Sequence, residues 1–189
     1  MPLGTRWGVE LFTASNWDGL TPKDPINVAI TGSFEDAGSA LRFLREEVGW
    51  GSCWGSDQFV CQVRPTKAHR NDDQLASGAI TFYPLVDRDH VRVYLTDETT
   101  PTGKRVLVAP VHHDRWIGLK AWTWTRSGVP VPAWEVADSF DHSRKPVEDA
   151  AMRRGYQSDW TWIGNRLAVR QANDRYVAGD GWVLVVSTP

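Results

Sequence analysis

The chain's 189 residues suffice for one hydrophobic core, and 41% hydrophobic with 23% charged residues exclude a disordered or fibrous polymer. A net charge of -2 and a pI near 6.2 create no general field for attracting nucleic acid, so a nucleic-acid partner is disfavoured. No segment approaches the roughly 20 consecutive apolar residues of a membrane span, and Met1 to Trp7 show no basic stretch leading into an apolar one. A soluble, cytoplasmic protein is the expectation.

In chain order, Trp7 to Thr13 alternates loosely as a first strand, and Asn16 to Pro25 is rich in turn formers. Ile26 to Thr31 is a short apolar strand ending at Gly32, and Ser33 followed three residues later by Asp36 has capping-box spacing. A helix is expected from there, with Ala37, Ala40, Leu41, Leu44 and Val48 on one face and Gly49 as its cap. Residues 50–77 read as a loop with one edge strand at Phe59 to Val63. Ala79 to Val86, His90 to Thr96 and Arg105 to Val111 are β-rich runs separated by short polar links, as in antiparallel hairpins. Leu119 to Arg126 alternates strongly, Pro130 and Pro132 interrupt, and a second helix is expected over Ser143 to Arg154, closed by Gly155. Patterned segments at Arg166 to Arg170 and Trp182 to Ser187 complete the chain. The expected fold is α+β: a mostly antiparallel sheet with two main helices in a single compact domain over 1–189, residues 1–23 being an N-terminal strand and loop extension.

Chemistry concentrates at Val111-His112-His113-Asp114, where an apolar run ends in two imidazoles and a carboxylate. Strand geometry puts His112 and Asp114 on one face and His113 on the other. A hairpin through residues 97–104 would bring His90 beside His112 and Asp114, with Arg92 two positions further along. Asp138, Asp141 and His142 come from the start of the second helix. Such a set offers His90, His112 and Asp114 as catalytic groups, and His90, His112, Asp114 and Asp141 as ligands for a divalent metal. Arg92 and Arg144 then bind a small anionic or phosphate-containing ligand. The competing reading is that the histidines are hydrogen-bonded structural groups. No GxSxG, Walker or GxGxxG motif is present, and Cys53 and Cys61 are too few for a thiolate zinc site.

Eleven tryptophans are the unusual feature of the composition. Trp122 and Trp124, flanked by Lys120 and Arg126, form either a stacking surface for a ligand or partner chain or the buried side of a sheet. A non-catalytic interaction or assembly protein, or a homo-oligomer, is therefore the alternative to a hydrolase-like domain.

The order of several short segments resembles the LssY C-terminal-like domain family over about residues 24–187. These segments are Asp24-Pro25-Ile26-Asn27-Val28, His90-Val91-Arg92, Arg105-Val106-Leu107-Val108 leading to Asp114, Asp141 with Arg144, and Gly179-Asp180-Gly181-Trp182-Val183. The resemblance implies a polar site retaining His90, Arg92, Asp141 and Arg144, and a link to lipid phosphatases through domain company. Trp134 and Glu135 stand where the family pattern has a histidine pair.

Overall fold

The computed structural model describes residues 12–14, 22–32, 43, 48, 51–52, 74–79, 87–121, 130–165, 168–170 and 175–189. Strand dominates them. In order they form β1 (Phe12–Ala14), β2 (Pro22–Pro25), β3 (Val28–Gly32), β4 (Gly51–Ser52), β5 (Gln74–Ala79), β6 (Arg88–Thr99), β7 (Arg105–Ala109), β8 (Val111–Ala121), β9 (Pro130–Val136), helix α1 (Arg144–Arg153), β10 (Gln157–Asn165), β11 (Ala168–Arg170), β12 (Tyr176–Ala178) and β13 (Gly181–Ser187).

The main sheet is built on one long hairpin. Pro101, Thr102 and Gly103 turn β6 into β7, with Gly103 at φ 79° donating its N–H to Thr100 O at 2.8 Å. Positive φ without a Cβ penalty is what a glycine contributes there. Tyr94 faces Val108 and Val91 faces Val111, so the register with β6 passes from β7 to β8 across Pro110 without a slip. The other edge of this arm changes partner at the same point: β7 pairs with β3, whereas β8 pairs with β9. Proline lacks an N–H and so cannot continue a ladder, which suits Pro110 to the division.

Asn27 closes the fork. Its side-chain Nδ2 donates to Val111 O at 2.8 Å while Val111 N–H donates to its Oδ1 at 2.8 Å. One amide side chain thus makes the reciprocal pair of bonds that a further β3 residue would have made through its backbone. The same Nδ2 donates to Phe140 O at 2.5 Å, and Asn27 O accepts from Leu184 N–H of β13 at 3.0 Å. Beyond β3 the sheet continues through β13, its parallel neighbour, to β10; beyond β6 it continues through β5 to β4.

Alternation then assigns the faces. Val28, Ile30, Val91, Val93, Leu107, Ala109, Val111, Leu184 and Val186 pack with Val147, Ala150 and Ala151 of α1 on one side. Ile26, Ala29, Val106, Val108, Val183 and Val185 cluster on the other. β3 is buried at every position, as a central strand covered on both faces must be. Helix α1 ends in a Schellman arrangement: Gly155, at φ 69°, donates to Met152 O at 3.0 Å and Tyr156 donates to Ala151 O at 2.9 Å.

The expectation of a two-helix α+β fold is corrected: the described residues contain thirteen strands and one α-helix. The interval expected for the first helix lies outside the described residues, except Phe43 and Val48, which pack on the α1 side of the core. So do the edge strand expected at Phe59 to Val63 and most of the run at Ala79 to Val86. Pro130 and Pro132 do not interrupt the sheet. They belong to β9, which pairs only with β8 among the described residues, and an edge strand tolerates missing N–H groups. β10 is a strand that the sequence reading did not include, and its first three residues, Gln157, Ser158 and Asp159, are polar and exposed.

Replacing Asn27 by alanine leaves buried polar groups of Val111 and Phe140 without their partners, each costing about 1–3 kcal/mol. With three such groups, the expected destabilisation of Asn27→Ala is about 3 kcal/mol or more, read from the urea midpoint. A change within about 0.5 kcal/mol, typical of a surface substitution, would refute the role given to the fork.

Candidate functional site

Because register is continuous through Pro110, His90 on β6 stands directly opposite His112 on β8. Val111 belongs to the α1 side, so alternation sends His112 and Asp114 to the opposite face, where His90 lies between Val91 and the strand start. The three side chains meet: His112 Nε2 is 3.1 Å from Asp114 Oδ1 and His90 Nδ1 is 3.5 Å from Asp114 Oδ2. The imidazoles contact edge-to-face with centroids 5.3 Å apart, and Phe140 packs edge-on against His112 at 5.8 Å. All three ionisable residues are buried, at 1%, 2% and 6% exposure for His90, His112 and Asp114.

Burial pushes the Asp114 carboxyl pKa upward, but attraction and hydrogen bonding from His112, then from His90, overcome it and hold it well below the usual carboxylate range. Asp114 is therefore an anion inside the sheet, stabilised by two imidazoles. His112 Nδ1 is buried and has no hydrogen-bond partner among the described residues. With Nε2–H directed to the carboxylate, that nitrogen carries a lone pair available to a proton or a ligand.

Asp141 does not join this group, although the sequence placed it among the metal ligands. Its Oδ2 accepts from Ser139 Oγ at 2.9 Å and from Asp180 N–H at 2.7 Å, and its Oδ1 is 3.4 Å from Arg144 Nη2. The turn before α1 directs it toward the β12–β13 connection instead. Burial is the main cause raising its pKa, only partly offset by Arg144.

Arg144 is likewise committed. Its Nη1 donates to Asp180 Oδ1 at 3.0 Å and to Trp182 O at 2.6 Å, Nη2 donates to Asp180 Oδ2, and Nε reaches Asp141 O at 3.3 Å. Its guanidinium also lies 4.7 Å from the Trp160 ring centroid. With 5% exposure and its donors engaged internally, Arg144 fastens α1 to β13 and is not the open anion clamp expected from sequence. Arg92 is on β6 opposite Ser77; its side chain lies outside the described part.

His113 points to the other face, as alternation requires. Its Nδ1 is 3.0 Å from Asp89 Oδ1, to which Ser143 Oγ also donates at 2.6 Å. The carboxylate here lies between serine and histidine, whereas a nucleophilic triad needs the imidazole between them. This trio therefore ties the start of α1 to β6 and β8. His142 is exposed, and Asp138 pairs with Arg175 at 3.3 Å.

Trp122 and Trp124 lie outside the described residues. Trp160 and Trp162, whose exposure also bears on the interaction reading, are exposed on β10, as is Trp182 on the neighbouring β13, at 37%, 40% and 42%. Trp162 and Trp182 are cross-strand partners with centroids 5.4 Å apart, and Trp160 Nε1 donates to Glu148 Oε1 at 2.9 Å. Trp-Thr-Trp alternation at 160–162 was the sequence signal for this surface. Trp134 and Glu135, at the positions where the family pattern has histidines, contact Trp116 and Arg115 across β8 and β9.

No helix among the described residues is long and apolar enough to cross a membrane. No family model matches the chain, and neither a curated protein nor a solved structure does.

The Arg144 clamp has a pH signature. Burial raises the Asp180 carboxyl pKa, but hydrogen bonds from Arg144 and from the Trp182 N–H bring the net value below the ordinary one. A depressed carboxyl contributes stability above its unfolded pKa, about 4, and loses it as pH falls through the folded value. The stability difference between wild type and Asp180→Asn should thus be largest near neutrality and shrink below about pH 4, as followed by urea denaturation across pH. A difference that does not vary with pH would contradict this assignment.

Proposed function

We propose that the protein is a hydrolase-like or phosphate-binding domain whose working group is His90, His112 and Asp114. The carrying observation is that one buried carboxylate meets two buried imidazoles, His112 from its own strand and His90 from the adjacent one. In the proton-transfer version, Asp114 orients His112 through Nε2 and leaves Nδ1 as the base, the same logic by which a buried carboxylate orients histidine in hydrolytic triads. Arg92, two positions from His90 on β6, is the residue proposed to face the anionic part of a substrate, since Arg144 is engaged elsewhere. The resemblance to the LssY C-terminal-like family supports the same His90–Arg92 segment. Assays against phosphate monoesters and diesters should detect hydrolysis by wild type, reduced about 10²–10⁴-fold in His112→Ala and in the near-isosteric Asp114→Asn. Equal rates in folded wild-type and variant proteins would reject catalysis by this group.

One observation favours a second reading, an interaction or assembly protein. Trp160, Trp162 and Trp182 are exposed on the paired strands β10 and β13, Trp162 and Trp182 in contact with each other, and rigid indoles cost little conformational entropy on association. If copies of the chain associate through it, sedimentation equilibrium should show concentration-dependent dimer formation that Trp162→Ser abolishes. A monomer at every concentration, or unchanged association in that variant, would remove self-assembly through these indoles.

A further inference from the structure

The separations within the buried trio point to a more specific ligand. A first-row divalent ion bound tetrahedrally, with bonds of 2.0–2.1 Å to imidazole nitrogen and carboxylate oxygen, holds neighbouring donor atoms about 3.3–3.4 Å apart. His112 Nε2 lies 3.1 Å from Asp114 Oδ1 and His90 Nδ1 lies 3.5 Å from the other oxygen, Oδ2, both separations close to that edge. One donor atom from each of His90, His112 and Asp114 lies within 4.8 Å of the others, a grouping compact enough to hold one ion.

The backbone favours the same arrangement. His90 and His112 are cross-strand partners, and Asp114 follows His112 at the two-residue spacing that returns a side chain to the same strand face. The donors are therefore held by paired strands in the main sheet, with Val91 and Val111 buried on the opposite face. Three buried polar side chains gathered at one point need partners for their ligating atoms, and a divalent cation supplies one partner to all three at once.

We infer that His90, His112 and Asp114 are the protein ligands of a divalent transition-metal ion. This deepens the preceding proposal by naming a cofactor for the same group. Two imidazoles with one carboxylate are borderline donors that suit zinc or another first-row ion, in contrast to the all-oxygen sites of calcium and magnesium or the sulfur sites of copper(I). Asp141, engaged by Asp180 and Arg144, is not a fourth ligand. Three protein ligands leave one position for water or an exogenous anion, and water bound to such an ion is acidified enough to act as a nucleophile near neutral pH. The metal-bound form places no proton between His112 Nε2 and Asp114. Ion binding and the Nε2–H to carboxylate hydrogen bond are therefore alternative states of one group.

The test uses the full chain stripped with chelator and dialysed, then titrated with zinc(II) and cobalt(II), binding being measured by calorimetry and by metal analysis after gel filtration. The expected result is one ion per chain, a cobalt(II) absorption spectrum of tetrahedral type, no competition from magnesium or calcium, and affinity at least about 10²-fold weaker in His112→Gln and Asp114→Asn. Asp141→Asn should bind as wild type does. Circular dichroism of each stripped variant distinguishes ligand loss from unfolding, and the cobalt(II) spectrum of wild type reads the donor set even if a variant does not fold. Absence of binding by wild type, a stoichiometric ion retained equally by folded His112→Gln, or a cobalt(II) spectrum of hydrated octahedral type would overturn the inference. Phosphoester hydrolysis by a protein that binds no ion would leave the catalytic proposal standing while this one falls. Tight binding without hydrolysis would do the reverse.

Discussion

The fork at Asn27 is the constraint from which the remaining architecture follows. A continuous strand paired with β6 has to leave β3 and join β9 without abandoning backbone polar groups at the point of departure. Proline at 110 removes one donor from the accounting, and the Asn27 amide satisfies both the N–H and the C=O of Val111. The primary amide of asparagine or glutamine carries an N–H donor and a C=O acceptor side by side, as a peptide group does, and the shorter of the two keeps the amide close to its own strand. Its additional bond to Phe140 O then fixes the segment that leads into α1.

The site is a consequence of that geometry. Continuing the β6 register past Pro110 makes His112 the partner of His90, and the bond from Asn27 holds the residue immediately before His112. Phe140, whose carbonyl is bound by the same asparagine, packs its ring against the His112 imidazole. One polar side chain thus connects the sheet division, the entry to the helix and the aromatic wall of the trio. The burial of Asp114 as an anion is tolerated because two imidazoles face it across short distances.

Two other polar groups resemble functional sites in composition yet are built for attachment. Arg144 satisfies Asp180, Asp141 and the Trp182 carbonyl, which locks α1 onto β13 and fixes the plane against which Trp160 rests. Asp89 gathers Ser143 and His113, holding the start of the same helix to the β6–β8 pair. Helix α1 is therefore pinned from two directions. Its apolar side supplies Val147, Ala150 and Ala151 to the core, and its acidic side supplies Glu148 to the Trp160 indole.

Local patterning determined a good deal. Period-two alternation separated His112 and Asp114 from His113, a hairpin through residues 97–104 implied that His90 would approach them, and the helix signals between Ser143 and Gly155 located α1. These are properties of neighbours in the chain, and they survive folding because strand pleat and helix pitch are local. Tertiary structure alone decided the rest. Whether Asp141 and Arg144 meet the histidines or each other depends on how the turn before α1 is aimed, which is set by Asp180, 36 residues beyond Arg144. Whether Pro130 and Pro132 break a sheet or border it depends on which edge they occupy, and whether Asn27 is a loop residue or a hinge of the core depends on Val111, 84 residues away. Side-chain partners of that kind are chosen by packing over long sequence separations, where no local period carries the information.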